Sequence, residues 1–245
     1  DTSGAAIDFL DPQACAGCHP DAFNAWSGSM HAYAAHDPVF RALNARGQRE
    51  TQGELGDLCV RCHAPVAWQL GLTTDGLNLD TLDPKLLGVT CAWCHSVVDV
   101  VGTHNNALVV DLDGTMRGSI ERPSRTAAHA SAYSVWHDRD RAESSAMCGA
   151  CHDVVNGHGT AVERTYAEWQ GSIFAHEGES GLSCAACHMR PSAGAAAVGG
   201  PIRQVHDHAM PAVDVALTPF PNRDAQRAAV LAALEPTVLS RQIGR

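Results

Sequence analysis

Cys15-Ala16-Gly17-Cys18-His19 is the first copy of a short pattern that returns four times along the chain. The other copies are Cys59-Val60-Arg61-Cys62-His63, Cys91-Ala92-Trp93-Cys94-His95, Cys148-Gly149-Ala150-Cys151-His152 and Cys184-Ala185-Ala186-Cys187-His188. Each copy reads Cys-x-x-Cys-His, and together they contain all ten cysteines of the 245-residue chain. We therefore expect the chain to fold around whatever this pattern binds.

The pattern is the attachment site of c-type haem. Two thiols add across the two vinyl groups of one porphyrin, and the histidine after the second cysteine binds the iron as its proximal ligand. Five copies predict five covalently bound haems c. The attachment residues would be Cys15, Cys18, Cys59, Cys62, Cys91, Cys94, Cys148, Cys151, Cys184 and Cys187, and the proximal ligands His19, His63, His95, His152 and His188.

Other chemistries also use Cys-x-x-Cys pairs. A tetrahedral zinc site usually takes two such pairs, and five pairs cannot be grouped evenly in that way. A thioredoxin-like redox motif occurs once, near a βαβ pattern. A disulfide framework does not place histidine after every second cysteine. The pattern therefore favours haem.

The composition also suits a fold built around cofactors. Phenylalanine, tryptophan and tyrosine total only 13 residues, which is few for a conventional core. Porphyrins are flat, largely apolar bodies that would fill this gap, so we expect little independent core and folding linked to haem binding. We predict a single multihaem domain over residues 1–221, followed by a C-terminal helix or tail over residues 222–245.

The predicted fold class is mainly α, with long irregular loops and at most a small β-hairpin. Apolar spacing and capping residues predict helices over residues 21–35, 39–46, 57–70, 125–141, 162–174 and 224–234. β-Branched residues over 97–101 and 107–112 predict the hairpin, which turns at His104-Asn105-Asn106. The alanine- and glycine-rich stretch 192–201 is expected to form a flexible surface loop.

The formal net charge is −10, and each haem would add two propionates, so a nucleic-acid partner is not expected. An anionic surface suits basic redox partner proteins or an extracellular mineral or metal-ion acceptor. No apolar run approaches the roughly 20 residues of a membrane span. Because bacteria attach haem c outside the cytoplasm, we expect a periplasmic or cell-surface protein whose signal peptide has been removed.

Nine histidines lie outside the motifs, and five six-coordinate irons would need five further ligands. His31 lies on a predicted helix, His129 is flanked by small alanines that let a porphyrin approach, and His208 follows the last motif. His104 and His176 are the next candidates for distal ligands. The remaining histidines, expected not to bind iron, are His36, His137, His158 and His206. A methionine ligand would raise the potential of its haem.

Three stretches resemble the multihaem cytochromes c related to the tetrahaem carrier that accepts electrons from hydroxylamine oxidoreductase. They are CAGCHPDAFNAWSGSMHAYAAHDPVF at Cys15–Phe40, YAEWQGSIFAHEGESGLSCAACHM at Tyr166–Met189, and the segment His206–Pro221. The resemblance implies electron transfer through closely packed haems. It also implies that His31, His129 and His208 occupy the distal-ligand positions of the family.

The chain departs from two enzymes that resemble this lineage. Pentahaem nitrite reductases bind their active haem through Cys-x-x-Cys-Lys, whereas all five motifs here end in histidine and the only lysine is Lys85. Hydroxylamine oxidoreductases carry more haems and cross-link a tyrosine to the active one. The first departure argues against nitrite reduction, and for the second only Tyr33, Tyr133 and Tyr166 are available here.

Three hypotheses follow. The first is a carrier or conduit of electrons with mostly bis-histidine haems and no catalytic residue. The second is a multihaem oxidoreductase with one open iron that acts on a small nitrogen species, with Arg61, Asp99 or a nearby histidine as a proton donor. The third is a subunit of a haem filament, a homopolymer in which a terminal iron takes its distal histidine, such as His36, from a neighbour.

Overall fold

The computed structural model describes residues 8–176, 178 and 181–243. This part of the chain contains eleven α-helices, and only two of them exceed eight residues. The helices are α1 (Gln13–Ala16), α2 (Pro20–Ser27), α3 (Met30–Tyr33), α4 (Pro38–Glu50), α5 (Val60–His63), α6 (Pro65–Gln69), α7 (Cys91–His95), α8 (Ser145–His152), α9 (Thr165–Gln170), α10 (Cys184–His188) and α11 (Arg223–Ile243).

Capping explains where the long helix α4 begins. The Asp37 carboxylate accepts the backbone N–H groups of Val39 and Phe40, at 3.0 and 3.4 Å. Pro38 occupies the first helical position, where no N–H is needed. The helix predicted over residues 39–46 is therefore present and continues to Glu50. The predicted C-terminal helix is also present and is longer than expected.

Two other predicted helices are each divided into two. In the helix predicted over residues 21–35, α2 ends at Ser27, and the Ser29 hydroxyl starts α3 by accepting the N–H of Ala32. In the helix predicted over residues 57–70, Pro65 starts a new helix, because proline has no N–H to continue the preceding one.

Each Cys-x-x-Cys-His motif forms one helical turn. In the first two motifs the histidine N–H donates to the carbonyl of the first cysteine, at 2.8 Å for His19 and 3.2 Å for His63. The other three motifs lie within α7, α8 and α10. The local conformation is therefore the one that the predicted attachment chemistry requires.

The structure is mainly α-helical with loops and small sheets, which confirms the predicted fold class. It contains four two-stranded sheets in its described part, more than the single hairpin expected. The predicted hairpin is present as β1 (Val97–Val100) and β2 (Leu108–Val110). The others are β3 (Thr115–Gly118) with β4 (Ala130–Tyr133), in parallel, and the antiparallel pairs β5 (Asp153–Val155) with β6 (Ala161–Arg164) and β7 (Pro191–Ala195) with β8 (Ile202–His206).

Three local predictions require correction. The helix predicted over residues 125–141 is instead strand β4 and a 3₁₀ turn at Val135–His137. The loop predicted over residues 192–201 belongs to the β7–β8 hairpin, which keeps five residue pairs in register. The helix predicted over residues 162–174 is shorter, because it begins only where β6 ends. In each case pairing with another strand outweighs the local propensity.

A small apolar core is present, which the scarcity of aromatic residues did not predict. Most of it comes from α4 to α7 and the segments between them, and Phe40 and Trp93 are its largest side chains. Its buried members are Ala35, Phe40, Val60, Ala64, Val66, Ala67, Leu79, Leu86, Leu87 and Trp93. None of the described helices combines the length and the apolar character that a membrane span needs.

Candidate functional site

Four of the five motif histidines share one hydrogen-bond pattern. Each places Nδ1 against a backbone carbonyl oxygen of another segment. The pairs are His19 with Ala196 at 2.6 Å, His63 with Ala34 at 2.9 Å, His95 with Arg117 at 2.5 Å and His188 with Pro211 at 2.9 Å. A bond at Nδ1 leaves Nε2 free, and histidines that bind metals usually make such a bond through their other nitrogen.

His152 differs from the other four, because its Nδ1 faces a carboxylate. The Glu163 Oε1 atom lies 3.5 Å from this nitrogen. The hydrogen bond to Glu163 raises the pKa of His152 against the opposing effect of desolvation, and it lowers the pKa of Glu163. Glu163 reaches this position because β6 pairs with β5, which directly follows the fourth motif.

Three pairs of imidazoles face each other. The ring centroids lie 6.1 Å apart for His19 and His129, 6.1 Å for His95 and His208, and 6.0 Å for His31 and His152. A bond from a metal to an imidazole nitrogen is about 2 Å long, so two imidazoles on opposite sides of one metal place their centroids about 6 Å apart. The structure thus brings His31, His129 and His208 each opposite a different motif histidine.

Hydrogen bonds and burial keep these imidazoles in the form that binds a metal. Nδ1 of His129 and Nδ1 of His208 each lie 2.9 Å from a backbone carbonyl oxygen, which leaves Nε2 available. Desolvation lowers the pKa of His31 to about 4 and that of His95 to about 4. A neutral imidazole is the metal-binding form.

His104 and His176 are not placed in this way. His104 is exposed in the turn between β1 and β2. His176 is exposed beside a cleft of about 300 Å³, which is also lined by Glu143, Tyr166 and Trp169. All fourteen histidines belong to the described residues, and none of them faces His63 or His188 in the way that the three pairs do.

His137 has a position that the sequence did not suggest. Its ring is stacked 5.5 Å from that of His95, at an angle of 18°. Its Nε2 lies 2.8 Å from the carbonyl oxygen of Cys94 within the third motif. Because this bond occupies Nε2, His137 packs beside the motif histidine and does not face it as a second ligand.

Contacts between cysteine thiols show which motifs are neighbours. The thiol of Cys15 hydrogen-bonds that of Cys91, which lowers the pKa of Cys15 to about 7 and raises that of Cys91. The same kind of contact joins Cys62 to Cys151 and Cys148 to Cys184. The first motif therefore lies beside the third, the second beside the fourth, and the fourth beside the fifth. Cys94 of the third motif also acts electrostatically on Cys148 and Cys151 of the fourth motif.

Seven buried side-chain atoms in the described part of the chain lack a hydrogen-bond partner, and three of them are N–H donors in or beside the motifs. These donors are Arg61 Nε, Trp93 Nε1 and Arg139 Nε. Arg61 and Trp93 belong to motifs, and another nitrogen of Arg139 donates to Ala186 of the fifth motif at 2.7 Å. Haem propionates are strong acceptors for such donors, particularly for arginine. The residues present therefore fit haem.

No group of three or more His, Cys, Asp or Glu side chains in the described part of the chain is arranged to hold a bare metal ion. The motif cysteines meet in twos, between neighbouring motifs, whereas a structural zinc site requires four ligands around one point.

Two comparisons with known proteins bear on the motifs and the fold. A family model described as "Cytochrome c554 and c-prime" matches residues 14–96, which contain the first three motifs. A penta-heme cytochrome c552 from Thermochromatium tepidum, known from its crystal structure, shares the fold with a TM-score of 0.56 at 21% sequence identity, over 84% of this chain. The chain thus shares the fold of a penta-heme cytochrome, and its first three motifs lie in the stretch that resembles the family. It spans 58% of the length of the cytochrome c552 chain. No curated protein matches it significantly.

The turn between β1 and β2 connects the second motif to the fourth. The side-chain amide of Asn106 donates to the carbonyl of Arg61, and the backbone N–H of Asn106 donates to Ala150 at 2.5 Å. Asn105 exchanges two hydrogen bonds with Val155, at 2.8 and 2.9 Å. Both asparagines have φ of 57°, a left-handed conformation that asparagine tolerates. The turn therefore holds two attachment sites in register.

Replacing Asn106 with aspartate is expected to destabilise the protein by about 2 kcal/mol, because it replaces a buried donor with an acceptor that faces a carbonyl oxygen. Chemical denaturation of the purified protein would measure the free energy of unfolding. Asn78→Asp is the matched control, because the Asn78 amide donates to the Leu72 carbonyl at 2.9 Å from an exposed position. Equal losses in the two variants would contradict the role given to Asn106.

Glu163 is the site residue that sequence reasoning missed, although a signal was present. Asn156-Gly157 lies between two short β-branched runs, and Asn-Gly in that position is a strong hairpin signal. A hairpin there places Glu163 beside the strand that follows the fourth motif. The carbonyl partners of the other motif histidines carry no comparable signal, because any residue has a carbonyl group.

Proposed function

We propose that this cytochrome transfers electrons through five c-type haems attached at the five motifs. The observation that carries this proposal is the set of three imidazole pairs with centroids 6.0–6.1 Å apart. Each pair joins a motif histidine to a histidine from elsewhere in the chain. A six-coordinate iron of this kind has no open position for a substrate, which suits electron transfer.

In this proposal, His129, His208 and His31 are the distal ligands opposite His19, His95 and His152. The ten motif cysteines hold the porphyrins, and the backbone carbonyls orient the proximal imidazoles. Arg61, Trp93 and Arg139 donate hydrogen bonds to propionates. Bound haem supplies reversible one-electron chemistry at iron, and the protein sets its potential through ligands, charge and burial.

The thiol contacts support an order for the electron path. We propose a path that runs from the first motif through the third and fourth to the fifth, with the second as a branch at the fourth. This order differs from the order along the chain. Covalent haem attachment favours the periplasm or the cell surface, and the net charge of −10 favours basic redox partners or an extracellular acceptor.

We also propose that copies of this cytochrome assemble into a filament. A homopolymer of the cytochrome would continue the path from one protomer to the next. Electron micrographs of purified cytochrome should then show filaments, and discrete particles alone at every concentration would contradict this form.

A second candidate function is supported by His63 and His188. Since no imidazole faces either of them, one of these irons could bind a small nitrogen species such as nitrite or hydroxylamine. At His63, the Phe40 ring stacks on the imidazole at 3.9 Å, and Arg61 lies close by in an ion pair with Asp57. This enzyme activity would use an open iron beside the electron path.

Electron paramagnetic resonance of the oxidised cytochrome, with and without nitrite, tests both functions. We expect five haems per chain and three low-spin signals that nitrite does not change. High-spin iron that shifts with nitrite, together with turnover under excess reductant, would support the enzyme. Fewer than three low-spin irons would contradict the proposed ligand pairs.

A further inference from the structure

Glu163 is the only charged partner among the five proximal hydrogen bonds. The other four motif histidines donate to neutral backbone carbonyls. Nδ1 of His152 instead lies 3.5 Å from Glu163 Oε1. The Thr165 hydroxyl donates to the same carboxylate oxygen at 3.0 Å, which helps to hold it in place. One imidazole of this array is therefore bonded differently from the rest.

The bonding partner of a proximal imidazole affects the iron beyond it. A carboxylate that accepts the Nδ1–H draws the proton away from the ring and makes Nε2 a stronger electron donor than a carbonyl partner does. A stronger donor and a nearby negative charge both favour iron(III) over iron(II). Such hydrogen bonds and charges are among the factors that set haem potentials.

The position of Glu163 makes this effect important for the path. The fourth motif contacts both the second and the fifth through cysteine thiols, and the third motif lies close to it. A change in the midpoint potential of the haem bound by His152 would therefore act where the branch to the second haem joins the proposed path.

We propose that Glu163 is a positioning residue that lowers the midpoint potential of the haem bound by His152 relative to one with a carbonyl partner. This inference rests on the proposed function, because it requires that His152 and His31 ligate one iron. The haem bound by His152 would then have a low midpoint potential. It would lie on the path between the second haem and the haems of the first and third motifs.

The geometry of the His152 pair provides a selective probe. The rings of His31 and His152 are 82° apart, whereas those of His19 and His129 are 31° apart and those of His95 and His208 are 26° apart. Nearly perpendicular axial imidazoles leave two iron d orbitals close in energy, which produces a strongly anisotropic low-spin signal. Nearly parallel imidazoles produce a rhombic signal. The strongly anisotropic signal therefore reports on His152 alone among the three pairs.

A redox titration at one pH, followed by electron paramagnetic resonance, tests the inference on the haem-loaded cytochrome. Glu163→Gln keeps the length of the side chain and an acceptor oxygen but removes the charge. We expect the strongly anisotropic signal to persist and its oxidised-to-reduced ratio at a given potential to fall about tenfold, an upward shift of about 59 mV for one electron. The rhombic signals should shift less.

Glu168→Gln is the matched control. This substitution removes the same charge, but Glu168 is exposed on the adjoining helix α9. A shift in Glu163→Gln no larger than in Glu168→Gln would overturn the inference and leave the proposed function intact. A wild-type spectrum without the strongly anisotropic signal would overturn the ligation of His152 by His31, and with it this inference.

Discussion

Gly149→Ala is expected to prevent the haem attachment proposed at the fourth motif and to destabilise the protein by about 3 kcal/mol, through overpacking. Gly149 lies between the cysteines of the fourth motif and is buried against Tyr166. A β-carbon at this position would overlap the Tyr166 ring. Tyr166 cannot move easily, because its ring stacks on Trp169 with centroids 5.5 Å apart. The turn that carries Cys148 and Cys151 would have to shift.

The chain offers a matched control for this substitution. Gly17 lies between the cysteines of the first motif, and a β-carbon there would meet no atom within 4 Å. Gly17→Ala should therefore keep the full haem content and the thermal stability of the wild type. Haem content per chain and circular-dichroism melting would be measured for both variants. Five haems and an unchanged melting curve in Gly149→Ala would show that this contact is unimportant.

His31→Ala is expected to convert one iron from low spin to high spin. The facing ring of His152 lies 6.0 Å from that of His31, so under the proposed ligation the loss of His31 would open the iron on that side. The backbone around His31 should hold, because its carbonyl accepts the Val89 N–H at 2.8 Å independently of the side chain. We expect the strongly anisotropic signal to disappear completely and a high-spin signal to replace it, without loss of covalently attached haem.

Added imidazole should restore the low-spin signal in His31→Ala, because it can occupy the space that the side chain leaves. His104→Ala is the control, since His104 was a ligand candidate from sequence but lies exposed in a turn. Its spectrum should match that of the wild type. If the strongly anisotropic signal survives in His31→Ala, another group binds the iron of His152 and the proposed pairing is wrong.

Much of the local structure could be predicted from sequence, where the signal was itself local. Asp37-Pro38 placed the start of α4 correctly, and the β-branched runs around Asn105-Asn106 predicted the β1–β2 hairpin. The helix predicted over residues 125–141 was wrong because β4 pairs with β3 in parallel, and no local sequence pattern predicts this pairing. Residues 192–201 look flexible by composition, yet Ala196 provides the carbonyl partner of His19.

For the candidate site, too, one part could be predicted from the sequence and another part could not. His31, His129 and His208 were selected from sequence, and the structure places each opposite a motif histidine. Sequence could not say which motif each of them faces. His31 lies near the first motif along the chain, yet it faces the histidine of the fourth.

The sequence by itself determined which chemistry is proposed for this protein, because Cys-x-x-Cys-His is a local pattern and one helical turn is enough to present it. The amino-acid pattern was also sufficient to predict the mainly α-helical fold class. Only the tertiary structure decided which imidazoles form pairs and which motifs are neighbours. These features depend on contacts between segments far apart along the chain, as for His31 and His152, and no short stretch of sequence contains a signal for such contacts.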